Sequence, residues 1–239
     1  LTSSLLASLR VVEGLLRISG ATLVDAALAG VSTERSEERL RWWARRVVEA
    51  TGIDLRVEGR QHLAAGESFV VMSNHQSHLD VPCLFHGLTP AMRMVAKKEL
   101  FRVPLFGPAM RQAGFLEVDR NNRTQAVASL QGGRALLASG FQVWIAPEGT
   151  RSPSGNLLPF KKGGFVMALE AGARILPVGI HGTRDVLPVN AVRVRVGRPV
   201  GLVVGAPIAT SGKTRDALMS ETRDTMLALI EQARSLAAR

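Results

Sequence analysis

The sequence predicts an α/β fold, a central mostly parallel β-sheet flanked by helices, preceded by an amphipathic two-helix element. Three observations carry this. From Gly52 onward, short β-branched and apolar runs alternate with helical stretches, the pattern of parallel strands joined by crossover helices. Before Gly52 the chain reads as two long helices with no strand signal. At 239 residues it is long enough for one sizeable core and too short for two full domains. The expected division is therefore a two-helix element over residues 1–51 and an α/β domain over 52–239.

Residues 3–29 place Leu5, Leu9, Val12, Leu16 and Leu23 near helical spacing, with Arg10, Glu13, Arg17 and Asp25 partly segregated from them. This predicts a helix lying in a bilayer interface, although a helix packed on the domain itself would show the same stripe. The charges interrupt the apolar run, so no stretch of about 18 uncharged apolar residues is present to span a membrane. The segment lacks the small-residue cleavage pattern of a secretory signal and is read as part of the mature protein. A second helix is expected from Thr33 to Thr51, stopped by Gly52, with Leu40, Trp43 and Val47 on one side and Arg41, Arg45 and Arg46 elsewhere. Trp42 and Trp43 beside arginines suit a headgroup-level anchor.

Beyond Gly52, strands are expected near 53–57, 69–73, 92–96, 115–118, 142–146, 175–180 and 192–196. Helices are expected near 79–87, 105–112, 122–139, 161–172 and 214–238.

Composition narrows the function. Hydrophobic residues make up 46% and charged residues 21%, which suits a globular fold and excludes intrinsic disorder. Cys83 stands alone, which excludes an intrachain disulfide and a thiolate zinc site and suits a reducing compartment; the cytoplasmic side of a membrane fits best. Lys and Arg exceed Asp and Glu by 30 to 20, so anionic partners are expected. The absence of tyrosine and the aromatic content of 5% argue against nucleic acid, whose single strands are gripped by stacking on aromatic rings. Lys97, Lys98, Arg102, Arg111, Arg120, Arg151, Lys161 and Lys162 all fall mid-chain, which makes the basic excess local to a site.

Phe69-Val70-Val71-Met72 reads as a buried strand that delivers Ser73-Asn74-His75-Gln76-Ser77-His78-Leu79-Asp80 to the edge of the sheet, where α/β sites lie. Asp80 stands five positions after His75, with four residues between them. A strand-to-helix turn of that length lets the carboxylate accept a hydrogen bond from Nδ1, leaving Nε2 to act as general base. Asp80 before Val81-Pro82 could equally cap a helix, and spacing alone does not separate the two readings. A zinc site using His75, His78 and Asp80 is disfavoured, because paired histidine ligands on a helix stand four residues apart.

A second polar cluster, Pro147-Glu148-Gly149-Thr150-Arg151-Ser152, again follows an apolar run. Gly149 would admit close backbone approach and Thr150 and Arg151 could bond phosphate oxygens, though an ordinary turn has the same composition. The strand Phe115 to Val118 ends at Asp119-Arg120.

Taken together, these segments resemble the glycerolipid acyltransferase family, and within it the bacterial 1-acyl-glycerol-3-phosphate acyltransferases. His75 and Asp80 match its His-x4-Asp block, Arg120 closes the second block, Glu148-Gly149-Thr150-Arg151 gives the third and Ile175-Leu176-Pro177-Val178 the fourth. Ala96-Lys97-Lys98-Glu99-Leu100 is similar to its lysine-bearing segment. The second block departs in carrying Glu117-Val118-Asp119 ahead of the arginine.

The resemblance implies acyl transfer from acyl-CoA or acyl carrier protein to the 2-hydroxyl of lysophosphatidic acid, with His75 as base, Asp80 orienting it, and neither metal nor cofactor. It implies Lys97, Arg120 and Arg151 on the acceptor's phosphate and Glu148, Gly149 and Thr150 in a substrate-binding loop. It also makes the two-helix start a membrane-docking element, peripheral or monotopic on the cytoplasmic face of the inner membrane. Other acceptors, lyso-ornithine lipid or a lysophospholipid, would use the same chemistry, and a non-catalytic protein holding anionic lipid would keep the same basic surface.

Overall fold

The computed structural model describes residues 2–28, 30–63, 66–88, 91–119 and 123–239. Two helices come first, α1 (Thr2–Leu28) and α2 (Thr33–Thr51). The second begins at Ser32, whose hydroxyl accepts the Arg35 N–H at 3.3 Å, and ends at Gly52, where φ is +60°. That left-handed residue returns its N–H to the Val48 and Glu49 carbonyls, a closure glycine makes without steric cost.

The remainder alternates as expected: β1 (Asp54–Glu58), β2 (Val70–Ser73), α3 (Asp80–Gly87), β3 (Met92–Lys97), α4 (Phe106–Gln112), β4 (Leu116–Val118), α5 (Arg123–Ala138), β5 (Gln142–Ile145), α6 (Gly163–Ala171), β6 (Ile175–His181), α7 (Thr183–Val186), β7 (Pro199–Val204) and α8 (Arg215–Ala238). The seven strands lie in the order β1-β7-β6-β2-β5-β3-β4, and every neighbouring pair is parallel except β6 with β7.

β2 is central and all four of its residues are buried, because both faces of the sheet are covered. Val71 joins Leu176, Val178, Ile180 and Trp144 in a core shared with α2, α3 and α4. Val70 and Met72 join Val143, Phe165, Met167 and Met226 in a second core under α5, α6 and α8. The two-helix element is packed onto the α/β layer, since Ala7, Leu40, Ala44, Val47 and Val48 belong to the first of these cores. Trp43 is half-buried among the same residues, so of the two expected anchors only Trp42 presents its ring outward.

The strand expected at 192–196 does not form. Val194 is buried between exposed Arg193 and half-buried Val196, and its backbone bonds run elsewhere: the Val194 N–H to Ser8 Oγ at 3.1 Å, and the Arg195 N–H to the Val186 carbonyl at 2.8 Å. The seventh strand is β7 instead, disguised in sequence by Pro199 and Gly201. Gly201 is required by packing: a Cβ there would stand 2.0 Å from the Ala233 carbonyl of α8.

Candidate active site

The site forms at the C-terminal ends of β2, β5 and β3, where the loops of a parallel sheet converge. His75 leaves the end of β2 and Asp80 opens α3, and Nδ1 of the one lies 2.7 Å from Oδ2 of the other. The same Oδ2 accepts the backbone N–H groups of Gln76 at 2.7 Å and Ser77 at 2.9 Å. A capping carboxylate accepts N–H groups downstream of itself; Asp80 accepts them upstream, so it organises the His75 loop and does not cap α3. Its other oxygen, Oδ1, accepts the Thr183 hydroxyl. Asp80 is fully buried. A buried carboxylate left unpaired would cost several kcal/mol, and these donors offset that cost.

Residues near the end of β6 hold the loop from the other side. Asn74 pairs with the Ile180 backbone at both ends of its amide, Nδ2 to the carbonyl at 2.9 Å and Oδ1 from the N–H at 2.8 Å. Gln76 Nε2 donates to the same carbonyl at 2.7 Å, and Ser77 Oγ to the Leu187 carbonyl at 2.8 Å. Trp144 stands edge-on to His75, with ring centroids 5.7 Å apart, and is itself fixed by its Nε1 bond to Ser73 Oγ.

The loop after β5 supplies the next layer. Glu148 is buried, with Oε1 accepting the His75 N–H at 2.7 Å and Oε2 the Leu158 N–H at 2.8 Å. Burial pushes its carboxyl upward, opposed by those two N–H groups and by the nearby His75. The expectation that Glu148 contacts substrate is therefore revised: both oxygens point into the loop framework, and the residue does not line the cleft. Gly149, Thr150 and Arg151 do line it.

That cleft, of about 530 Å³, is also walled by His75, His78, Lys97, Lys98, Asp119 and Trp144. Lys97 is exposed at the end of β3 and Lys98 is paired with Asp119. Arg120 lies outside the described residues. Lys161 and Lys162 do not line the cleft. His78 is held down to about 4 by desolvation of its ring, then by the charges of Arg151 and His75, against the pull of Asp80. Next to the cleft lies a small apolar pocket lined by residues of α1, α2 and α4 such as Leu15, Ile18, Trp43, Phe106 and Met110, with Val81 and Met94 shared between the two.

Of the residues singled out in sequence, the structure brings His75, Asp80, Lys97 and Arg151 together at this site; Thr183 and Trp144 were not singled out. Neither carries a local signal, because each reaches the site through a strand far away in the chain.

A family model described as Acyltransferase matches residues 54–181, which spans β1 to β6. The 1-acyl-sn-glycerol-3-phosphate acyltransferase alpha of Mus musculus is 32% identical over 185 residues, 76% of this chain and 65% of that protein. The 1-acyl-sn-glycerol-3-phosphate acyltransferase of Saccharomyces cerevisiae is 31% identical over 187 residues, 76% of this chain and 61% of that protein. The match thus spans less than two thirds of the length of these relatives. The crystal structure of the 1-acyl-sn-glycerophosphate (LPA) acyltransferase PlsC from Thermotoga maritima superposes with a TM-score of 0.82 at 24% identity, covering 99% of this chain and 97% of that one, a likeness of fold.

Proposed function

The chain belongs to the acyltransferase family, and from that premise we propose that it transfers an acyl chain from a coenzyme A or acyl-carrier-protein thioester to the 2-hydroxyl of 1-acyl-glycerol-3-phosphate, giving phosphatidic acid. The observation that carries the reading is the 2.7 Å bond between His75 Nδ1 and Asp80 Oδ2 on the wall of a cleft that also holds Lys97 and Arg151.

With Nδ1–H committed to Asp80, Nε2 keeps its lone pair and acts as the base. It takes the proton of the lysolipid hydroxyl as that oxygen attacks the thioester carbonyl. The carbon–sulfur bond then breaks, and the imidazolium returns the proton to the departing thiolate. No acyl-enzyme and no cofactor enter this scheme. General-base catalysis of this kind supplies about 10²- to 10⁴-fold in rate. Lys97 and Arg151 meet the acceptor's phosphate, a role shared with Arg120 by the family's second block.

The same reading puts the enzyme on a membrane surface, at the cytoplasmic face, held through α1. Leu5, Leu9, Val12 and Leu16 are each about half exposed along that helix, an apolar stripe that belongs to neither of the two large hydrophobic cores. No helix among the described residues is long and apolar enough to cross a membrane.

The test is product identification with a labelled acyl-CoA or acyl carrier protein against lysophosphatidic acid, lyso-ornithine lipid and neutral lysophospholipids. Phosphatidic acid as the main product, lost in His75→Ala and Asp80→Ala, is expected. Preference for an unphosphorylated acceptor would move the assignment within the family, and full turnover by His75→Ala would remove the mechanism.

A further inference from the structure

Thr183 stands at the first position of α7, directly after β6, and its hydroxyl reaches across 103 residues of sequence to Asp80 Oδ1. Both residues are fully buried. The donors around the carboxylate divide cleanly. The His75 ring, the Gln76 N–H and the Ser77 N–H all go to Oδ2, and all belong to the loop that Asp80 organises. Among the described residues Thr183 is the donor to Oδ1, and it comes from a different part of the fold.

Both carboxylate oxygens lie off the Cβ–Cγ bond, so the three donors on Oδ2 already resist rotation about it, and the hydroxyl on Oδ1 resists the same rotation from the opposite side. Held through both oxygens, the carboxylate keeps its plane, and a ring that donates to it in that plane is held as well. We infer that Thr183 is a positioning residue of the His75–Asp80 pair: its hydroxyl fixes the plane of the Asp80 carboxylate, and so the tautomer and tilt of His75. The loop itself is held independently, by Asn74 and Gln76 on Ile180 and by Ser77 on Leu187. Loss of the Thr183 hydroxyl should therefore be felt at Asp80 and not in the path of the loop.

The inference rests on His75 acting as the base, and one arm of its test is independent of turnover. Thr183→Val keeps the branched shape and removes the donor; Thr183→Ser keeps the donor and removes the methyl. Measured per folded molecule, kcat should fall about 10- to 100-fold in Thr183→Val, the scale of loss when a group orienting an active-site ligand is removed. KM for both substrates should stay unchanged and Thr183→Ser should recover most of the loss. Nitrogen-15 NMR of His75 at neutral pH should show a single tautomer protonated at Nδ1 in the parent and a mixture in Thr183→Val. Should Thr183→Val fold poorly, the comparison moves to Thr183→Ala against Thr183→Ser. A Thr183→Val enzyme with parental kcat and one tautomer overturns the inference, as does a Thr183→Ser enzyme no better than Thr183→Val. If the parent itself turns over no lysolipid, the functional reading fails while the NMR arm still decides the role of Thr183.

Discussion

Glu148 Oε1 accepts the backbone N–H of His75 at 2.7 Å, so the loop after β5 braces the loop after β2 through a side chain and not through packing alone. The second oxygen holds the Leu158 N–H, which leaves neither oxygen spare. In Glu148→Gln one oxygen remains and an NH2 group replaces the other, turning one of the two bonds into a clash of donors. The expected outcome is a kcat lowered about 10- to 100-fold with little change in KM, the scale of a lost orienting contact. Stability should fall by about 1–3 kcal/mol for the stranded buried N–H. Steady-state kinetics and urea unfolding measure both, and a fully active Glu148→Gln enzyme would contradict the bracing role.

Glu148 also shows what the sequence could and could not disclose. The strands before His75 and Glu148 were legible because buried strands are continuous apolar runs, and the dyad was legible because its partners lie five residues apart. The direction of the Glu148 carboxylate was not, since a buried glutamate that binds backbone and an exposed one that binds substrate are written with the same letter. Thr183 was invisible for a related reason: strand order places β6 beside β2, and nothing local records that neighbour. β7 was missed because Pro199 and Gly201 weaken its strand pattern; in the fold Pro199 is the first residue of the strand and Gly201 admits the close approach of α8.

Lys97 and Arg151 line the cleft and take part in no ion pair among the described residues, whereas Lys98 is paired with Asp119. Cations without a carboxylate partner in a cleft suit a phosphorylated acceptor. Lys97→Ala and Arg151→Ala should each raise KM for lysophosphatidic acid about 10-fold, the share of one charge-assisted bond, and leave KM for a neutral lysolipid unchanged. Equal effects on both acceptors would refute phosphate binding. Lys98→Ala should act on stability more than on KM.

His78 lies beside the dyad yet is expected to be silent in the rate profile. Its ring is lowered to about 4 by partial desolvation, the crowding of Arg151 and His75 adding to it, although the residue is exposed to solvent at the cleft; the neutral form is thereby favoured at neutral pH, and His78→Gln should leave an acid limb there in place. The shift also couples to folding. Between about 4 and 6.5 the unfolded chain binds a proton at this residue that the folded chain does not, so stability is present above 6.5 and is lost as pH falls toward 4. Urea midpoints at pH 7.5 and pH 5 should diverge more in the parent than in His78→Gln; an equal divergence would show that His78 contributes nothing to acid sensitivity.

The outward face of α1 decides how the cleft meets its lipid. Ala7 is buried against the domain, and Leu16, nine residues on, is two and a half turns away and so on the opposite side of the helix. Leu9 and Leu16 are 57% and 53% exposed and lie outside the two large cores, so a charge at either position can reach solvent without entering the core. Burying a leucine is worth about 1.5–3 kcal/mol when complete, and half of that for each of two gives a 10- to 100-fold effect on partitioning. Leu9→Glu with Leu16→Glu should therefore weaken binding to phosphatidylglycerol vesicles by about that factor while leaving urea stability unchanged. Turnover on lysophosphatidic acid dispersed in detergent should survive the change, because neither residue lines the cleft. Unchanged vesicle binding would assign the stripe to protein packing, and loss of detergent activity would mean that α1 shapes the site as well as placing it.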